Sequence, residues 1–440
     1  MTATRTQAER SRLQTGCGAV SNLALLPVLQ VLCLLLAIAS AQAQTFTVLH
    51  AFSGKGDGKY PYRSLLRDNT GTIYGTTNGG GSFDYGTVFA MKPDGKDTVL
   101  HSFWGADGVW PLSSLLRDQA GNFYATTSNG GTPEGGSCFH GCGTVFKLDT
   151  TGKLTVLYVF TGGTDGGQPE AGLILDKSGN LYGITTIGGD LNCLTANPEK
   201  RMAGKHSHPR YYAGSGCGVV FKIDPKGHET VLHAFAGKPD GWYPTGLIRD
   251  KKRNFYGATW FGGTADYGTI YKMDTSGKVK ILFSFQGIPG GVYPNGPLVR
   301  DAQGNFYGTT TNGGAQNYGT VFKVDSAGKE TTLHSFAGGN DGYAPYVGLT
   351  QDSTGNLYGV TIWGGGSTGC YGLGCGTLFK VDTSGNESVL HGFTGGADGS
   401  EPEGALILDK SGNLYGTAPG GGDLSCGSGI GCGVVFRLTP

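Results

Sequence analysis

The chain has 440 residues with 33 basic and 33 acidic side chains, so it carries no net charge at neutral pH. It therefore lacks the basic field that draws nucleic acid or anionic lipid, and neither is an expected partner. Glycine at 82 positions hints at low complexity, but 11% aromatic residues is more than an unfolded chain carries; together they point to many short strands joined by tight turns.

The first element reads as an export signal. Arg5, Arg10 and Arg12 precede an apolar stretch from Leu23 to Ala39, and Ala41-Gln42-Ala43 offers a small-x-small cleavage site before Gln44. The uninterrupted apolar run, residues 31–39, is too short for a membrane anchor, which needs about 20 apolar residues. Residues 1–43 are thus predicted to be a removed signal peptide and residues 44–440 a single secreted or periplasmic domain, with no membrane span after cleavage. Cleavage also removes Cys17 and Cys33, leaving an even count of eight cysteines, as disulfides in an exported chain require.

From residue 45 onward four segments recur, seven times each. One is VLH-like, at Val48-Leu49-His50, Val99-Leu100-His101, Val156-Leu157-Tyr158, Val231-Leu232-His233, Ile281-Leu282-Phe283, Thr332-Leu333-His334 and Val389-Leu390-His391. An apolar pair ahead of an Asp-x-x-Gly turn is anchored by Leu65, Leu115, Leu173, Leu247, Leu298, Leu349 and Leu406. An LYGTT-like segment places tyrosine at 74, 124, 182, 256, 307, 358 and 415, and a GTVF-like segment places an aromatic at 89, 146, 221, 271, 322, 379 and 436. A spacing of about 50 residues suits four short strands with their turns, the size of a propeller blade. No helix is read after the signal.

The predicted fold is all-β: a seven-bladed β-propeller with four antiparallel strands per blade, the Leu-Leu segment innermost and the VLH segment outermost. The mature chain opens on an outermost strand, residues 46–52. Its last blade, residues 394–440, supplies only the three inner strands. The N-terminal strand is therefore expected to complete that blade and close the ring, which removes exposed edges.

Gly396-Ala397-Asp398-Gly399, Gly412-Asn413-Leu414-Tyr415-Gly416-Thr417 and Gly433-Val434-Val435-Phe436 resemble the GloVer tandem repeat of secreted bacterial proteins named for a choice of C-terminal anchor. The resemblance covers nearly all of residues 45–440 and implies a repeat architecture without assigning an activity. The chain stops at Pro440 with no sorting tail, so free secretion is expected rather than surface anchoring.

Variation concentrates in the connections between the fourth and next first strand and between the second and third strands, which share one face in a propeller. Loops on a rigid scaffold are where function usually resides. All eight mature cysteines fall there, and pairing within each loop is the simplest framework: Cys138 with Cys142, Cys193 with Cys217, Cys370 with Cys375, Cys426 with Cys432. Zinc is the competing reading, but no loop offers four soft ligands. The histidine position also accepts Tyr158 and Phe283, which suggests a partly buried flat ring rather than a catalytic group. Asp57, Asp107, Asp165, Asp240, Asp341 and Asp398 each precede glycine and are explained by turn formation. Ca²⁺ at these loops is a secondary reading, because it needs six or more gathered oxygens. No cofactor and no metal site is otherwise expected.

The candidate ligand-binding residues are the aromatics of this loop face: Tyr60, Tyr62, Trp110, Trp242, Tyr243, Tyr293, Tyr346, Trp260 and Trp363. Blades three and seven place Glu170, Glu401 and Glu403 at the same entry to the first strand. The 188–217 insertion adds Lys200, Arg201, Lys205, Arg210, Tyr211 and Tyr212 and reads as a disulfide-held excursion, with a lid as the alternative. The expected function is a monomeric binding or scaffold module that engages a glycan or an extracellular protein through this mouth. The alternative is a carbohydrate-active hydrolase or lyase in which Glu170 and Glu403 act across the channel as acid and base.

Overall fold

The computed structural model describes residues 44–131, 138, 140–193 and 216–440. The predicted signal segment 1–43 and the basic part of the 188–217 insertion, from Lys200 to Tyr212, lie outside the described residues. In the first blade the strands Leu66–Arg67, Ile73–Thr77, Thr87–Met91 and Asp97–Ser102 pair antiparallel in chain order. The same up-and-down order returns in every sheet, and there are seven sheets. Among the described residues there is no α-helix, only single 3-10 turns at Gly339–Asp341, Cys370–Gly372 and Gly427–Gly429.

The last sheet contains both chain ends. Thr45–Ala51 lies beside Val434–Thr439, followed by Leu414–Ala418 and Ile407–Leu408. The pairing runs from Thr45 opposite Thr439 to Ala51 opposite Val434. Phe46 stacks on His391 at 3.8 Å and meets Phe393 edge-on at 5.7 Å, so side chains as well as backbone hold the closing strand. The protein is a seven-bladed β-propeller closed by its N-terminal strand, which gives the last blade the same four strands as the others.

The blades adhere through one repeated aromatic contact. The phenylalanine that ends each outer strand packs edge-to-face on the third-strand aromatic of the next blade, as in Phe52 on Phe89, Phe103 on Phe146 and Phe393 on Phe436, with centroids 5.2–5.3 Å apart. Most of these rings are among the largest fully buried side chains of the described residues. Each such pair contributes about 0.5–1.5 kcal/mol beyond its area burial. In six blades the glycine of the LYG segment leaves a hollow beneath the third-strand ring, and the second blade has Ala125 there opposite Phe146. A Cβ on Gly416 would stand 2.5 Å from Cζ of Phe436, closer than packed atoms approach.

The outer strand carries a bulge in every blade. In the first, Phe89 faces Val99 and Val88 faces His101, leaving Leu100 as the extra residue; the same shift occurs at Leu49 and at the other five equivalents. A bulge increases the local twist and re-aims the side chains that follow. Here the following ring is brought against the next loop. His101 Nε2 lies 2.7 Å from Asp107, His233 2.9 Å from Asp240, and His391 3.0 Å from Asp398. Tyr158 donates to Asp165 at 3.1 Å, and the blade with Phe283 has Gly290 in place of the aspartate. The ring and the loop aspartate are thus one paired unit, which separate readings of the two positions do not reveal. The aspartates also accept their own loop N–H groups, as Asp107 does from Trp104 and Asp57 from Ser53.

Candidate functional site

Seven equivalent residues precede the proline, or its counterpart, that leads into each first strand: Tyr60, Trp110, Gln168, Tyr243, Tyr293, Ala344 and Glu401. All adopt the left-handed region, with φ between 52° and 64°. Non-glycine residues there are strained by about 1–3 kcal/mol. The compensation is a backbone bond between blades: each N–H donates to a carbonyl of the preceding blade's loop, from Gln168 to Cys142 at 2.8 Å and from Tyr243 to Cys217 at 3.1 Å. The chain turns at this point, and the residues that follow the proline in several blades come together near the axis.

They form a small well of about 50 Å³ lined by Arg63, Glu170, Tyr243, Thr245, Trp260, Asn295 and Tyr346, among others. Glu170 accepts a hydrogen bond from the Tyr243 hydroxyl at 3.2 Å and lies 3.9 Å from the Arg63 guanidinium. Burial pushes the Glu170 carboxyl above its ordinary range, against the pull of Arg63 and Tyr243. Burial pushes Glu403 up to about 7, with Arg63 opposing and Glu401 adding to the rise. Burial also raises the Tyr62 and Tyr346 hydroxyls, and nearby Glu403 reinforces both. Arg63 and Glu170 still keep 26% and 22% side-chain exposure, so water reaches a site that protein atoms crowd. Both glutamates therefore share Arg63 and Tyr346 as neighbours. A larger hollow of about 360 Å³ lies in the sixth blade among Gly339, Tyr343, Ser367 and Leu373, but it presents no charged group.

The predicted aromatics separate into groups. Tyr243, Trp260 and Tyr346 line the well, and Tyr62 stands beside Glu403. Tyr293 packs just behind, 6.4 Å from Trp260 and 5.0 Å from Phe261. Trp242 stacks on Phe261 at 4.1 Å, so one of its faces is occupied. Tyr60 leans on Tyr62 at 6.5 Å. Trp110 is exposed on the loop surface with its ring 6.3 Å from His140, and Trp363 is held by backbone pairing with Tyr343 away from the well. Arg63, Asn295 and Thr245 were not anticipated from sequence. One signal for Arg63 was available: it is the only charged residue two places after the proline, where the other blades have Ser113, Ala171, Gly246, Gly296, Val347 and Gly404.

The four disulfides form as expected, Cys138–Cys142, Cys193–Cys217, Cys370–Cys375 and Cys426–Cys432. Their second cysteines occupy the position held by Tyr85, Tyr267 and Tyr318 in the other blades. Either group covers a glycine of the next blade. The Tyr267 ring would meet a Cβ on Gly287 at 2.8 Å, and the sulfurs of Cys370 and Cys375 would meet one on Gly395 at 3.0 and 2.8 Å. Apart from Val389, the exposed large apolar side chains among the described residues all stand in loops of this end of the ring.

Fold and site together define a β-propeller whose axial well and apolar loop surface occupy one end. The chain belongs to the Gloeobacter/Verrucomicrobia repeat family, whose pattern matches residues 36–196 and 210–430. No relative was found among curated proteins. Among solved structures it is similar to virginiamycin B lyase from Staphylococcus aureus, at 12% identity and a TM-score of 0.56, over 90% of this chain and 99% of that one. It is also similar to a protein of unknown function from Bacteroides thetaiotaomicron, at 13% identity and a TM-score of 0.45, over 90% of this chain and 76% of that one. A luciferin-regenerating enzyme matches at 13% identity and a TM-score of 0.44, over 90% of this chain and 96% of that one. At these identities the likeness is one of fold.

Proposed function

We propose that this chain is an exported binding module that holds a saccharide end in the axial well and lays the rest of the glycan across the loop surface. The observation that carries this reading is the convergence of Arg63, Glu170, Asn295 and three aromatic side chains in one wetted well. Sugars present alternating hydroxyls and C–H faces, and such a mixture of donors, acceptors and rings matches them. The well is too small to enclose a whole glycan, which is why only an end is assigned to it. Four disulfides suit an oxidising compartment, and no helix among the described residues is long and apolar enough to cross a membrane.

A glycan array with the mature protein tests this. Trp260→Ala is expected to weaken binding at least about tenfold, in the range of a lost hot-spot ring. Trp242→Ala, whose ring already stacks on Phe261, is expected to change it little. Silence of the native protein across the array, or an unchanged signal in Trp260→Ala, would overturn the proposal.

One observation favours a second reading, hydrolysis of the bound glycan. Glu403 is pushed up to about 7, the range of a general acid. New reducing ends from a bound glycan, lost in Glu403→Gln, would establish it; their absence would leave a binding module alone.

A further inference from the structure

The outer rim offers an arrangement that neither the well nor the family accounts for. In three blades a residue at the start of the fourth strand lies against the ring–aspartate pair of the preceding blade. Phe46 stacks there on His391, Glu229 stands beside Asp165, and Glu387 stands beside His334 and Asp341. The combination differs from blade to blade. Glu229 meets Tyr158 and Asp165, whereas Glu330 lies near Gly290, where both the aspartate and the histidine are missing. Between blades five and six, an imidazole and two carboxylates coincide.

We propose that His334, Asp341 and Glu387 form a zinc site that ties the outer strands of blades five and six together. One ligand atom from each lies within 4.8 Å of the others, and this is the only such group of three or more among the described residues. Asp341 Oδ1 lies 3.0 Å from His334 Nε2, and its other oxygen accepts the Ala337 N–H, which fixes the carboxylate in place. Glu387 Oε1 is shielded from solvent and meets no hydrogen-bond donor, a condition it shares with Glu229 Oε1 at the equivalent place beside Tyr158 and Asp165. A buried carboxylate oxygen without a donor is costly, and a cation removes that cost.

One imidazole nitrogen and two carboxylate oxygens suit Zn²⁺ better than Ca²⁺ or Mg²⁺, which prefer oxygen alone, and water would fill the fourth position. On binding, the ion takes the place of the hydrogen between His334 Nε2 and Asp341, and the neutral imidazole then carries its one proton on Nδ1.

The chain's own repeats supply the test. His334→Tyr copies the Tyr158–Asp165 pair of the second and third blades, so it keeps the ring and its bond to Asp341 while removing the nitrogen. Tyr158→His does the reverse and completes a second set with Asp165 and Glu229. Zn²⁺ is titrated into chelator-stripped mature protein by calorimetry, with thermal melts and circular dichroism to confirm folding, and with Ca²⁺ and Mg²⁺ as controls. The native chain is expected to bind one Zn²⁺ and to melt at a higher temperature with it. His334→Tyr should lose that ion, weakening affinity by more than the roughly 10–100-fold typical of a second-shell loss. Tyr158→His should bind two. The proposal is overturned by no zinc in the native chain, by equal zinc in folded His334→Tyr, which would place the ion elsewhere, or by no second ion in folded Tyr158→His.

Discussion

At the end of the ring that carries the hairpin turns, one arrangement is made seven times: Asp68, Asp118, Asp176, Asp250, Asp301, Asp352 and Asp409 each accept the second-strand tyrosine hydroxyl at 3.0–3.2 Å and N–H groups of their own turn. At the other end the equivalent residues are Tyr60, Trp110, Gln168, Tyr243, Tyr293, Ala344 and Glu401, with almost nothing chemical in common. The first end depends on side chains, so its side chains do not vary. The second is held by a backbone N–H reaching a carbonyl of the neighbouring blade, so the side chain is released for other uses. The carboxylates record the same division. Those of the turns are held below their ordinary range by hydrogen bonds, which outweigh burial, while burial lifts Glu170, Glu401 and Glu403 above theirs.

The largest expected effect tests this opposition at the mouth. Glu403 titrates at about 7 in the folded chain against an ordinary 4.5, so between those values the folded state binds more protons than the unfolded one. The contribution of Glu403 to stability therefore falls as pH rises through that window and is level on either side. Glu403→Gln is expected to make the slope shallower, leaving the part contributed by other raised carboxyls such as Glu229, also pushed up to about 7 by burial, and to gain about 1–3 kcal/mol at pH 8, read by urea unfolding at a series of pH values. A mutant slope equal to that of the native protein would show that the mouth carries no such cost.

The turns should behave in the opposite sense. Against the burial that would raise it, hydrogen bonds from Asn356 and Thr354 hold Asp352 down at about 2, so its contribution is complete above pH 3.8 and is lost as pH falls toward 2. Asp352→Ala should cost about 2 kcal/mol at pH 7, because Tyr358 and the turn N–H groups lose their acceptor. Glycan binding should be unchanged, since the substitution lies at the far end of the ring. A binding defect would show that the two ends are coupled.

A smaller effect probes the single blade whose third-strand ring departs from phenylalanine. Tyr271 is fully buried and its hydroxyl meets no partner. Tyr271→Phe is expected to raise the unfolding free energy by about 1 kcal/mol, measured by the same denaturation. The smallest effect concerns the strain itself. Ala344 sits at φ 55°, and Ala344→Gly should gain about 0.4–1 kcal/mol if the backbone strain is as argued. A loss on making that change would place the compensation in the alanine side chain.

The repeat made much of this legible in advance. Seven copies of four segments defined the blades, the incomplete last copy defined how Thr45–Ala51 closes the ring, and cysteines paired within single loops gave the four disulfides. Those features depend on local spacing and on counting, which a linear chain preserves. The glutamates and four of the aromatics around the well were also found, because they broke a repeat. Arg63 was missed because its neighbours in space, Glu170 of blade three and Glu403 of blade seven, are remote in the chain. The pairing of histidine with aspartate was missed for a subtler reason: the bulge at Leu100 and its equivalents turns the ring toward the loop, and no residue type announces a bulge.

By itself the sequence determined the number of blades, the strands within each and the way the ends meet, because strand alternation, turn residues and repeat counting act over a few positions at a time. Only the tertiary structure decided which side chains share the axial well, which loop aspartate meets which ring, and where an imidazole and two carboxylates coincide on the rim. Those relations arise when seven blades are set around one axis, where a small backbone turn before each proline brings residues far apart in the chain within reach of one another.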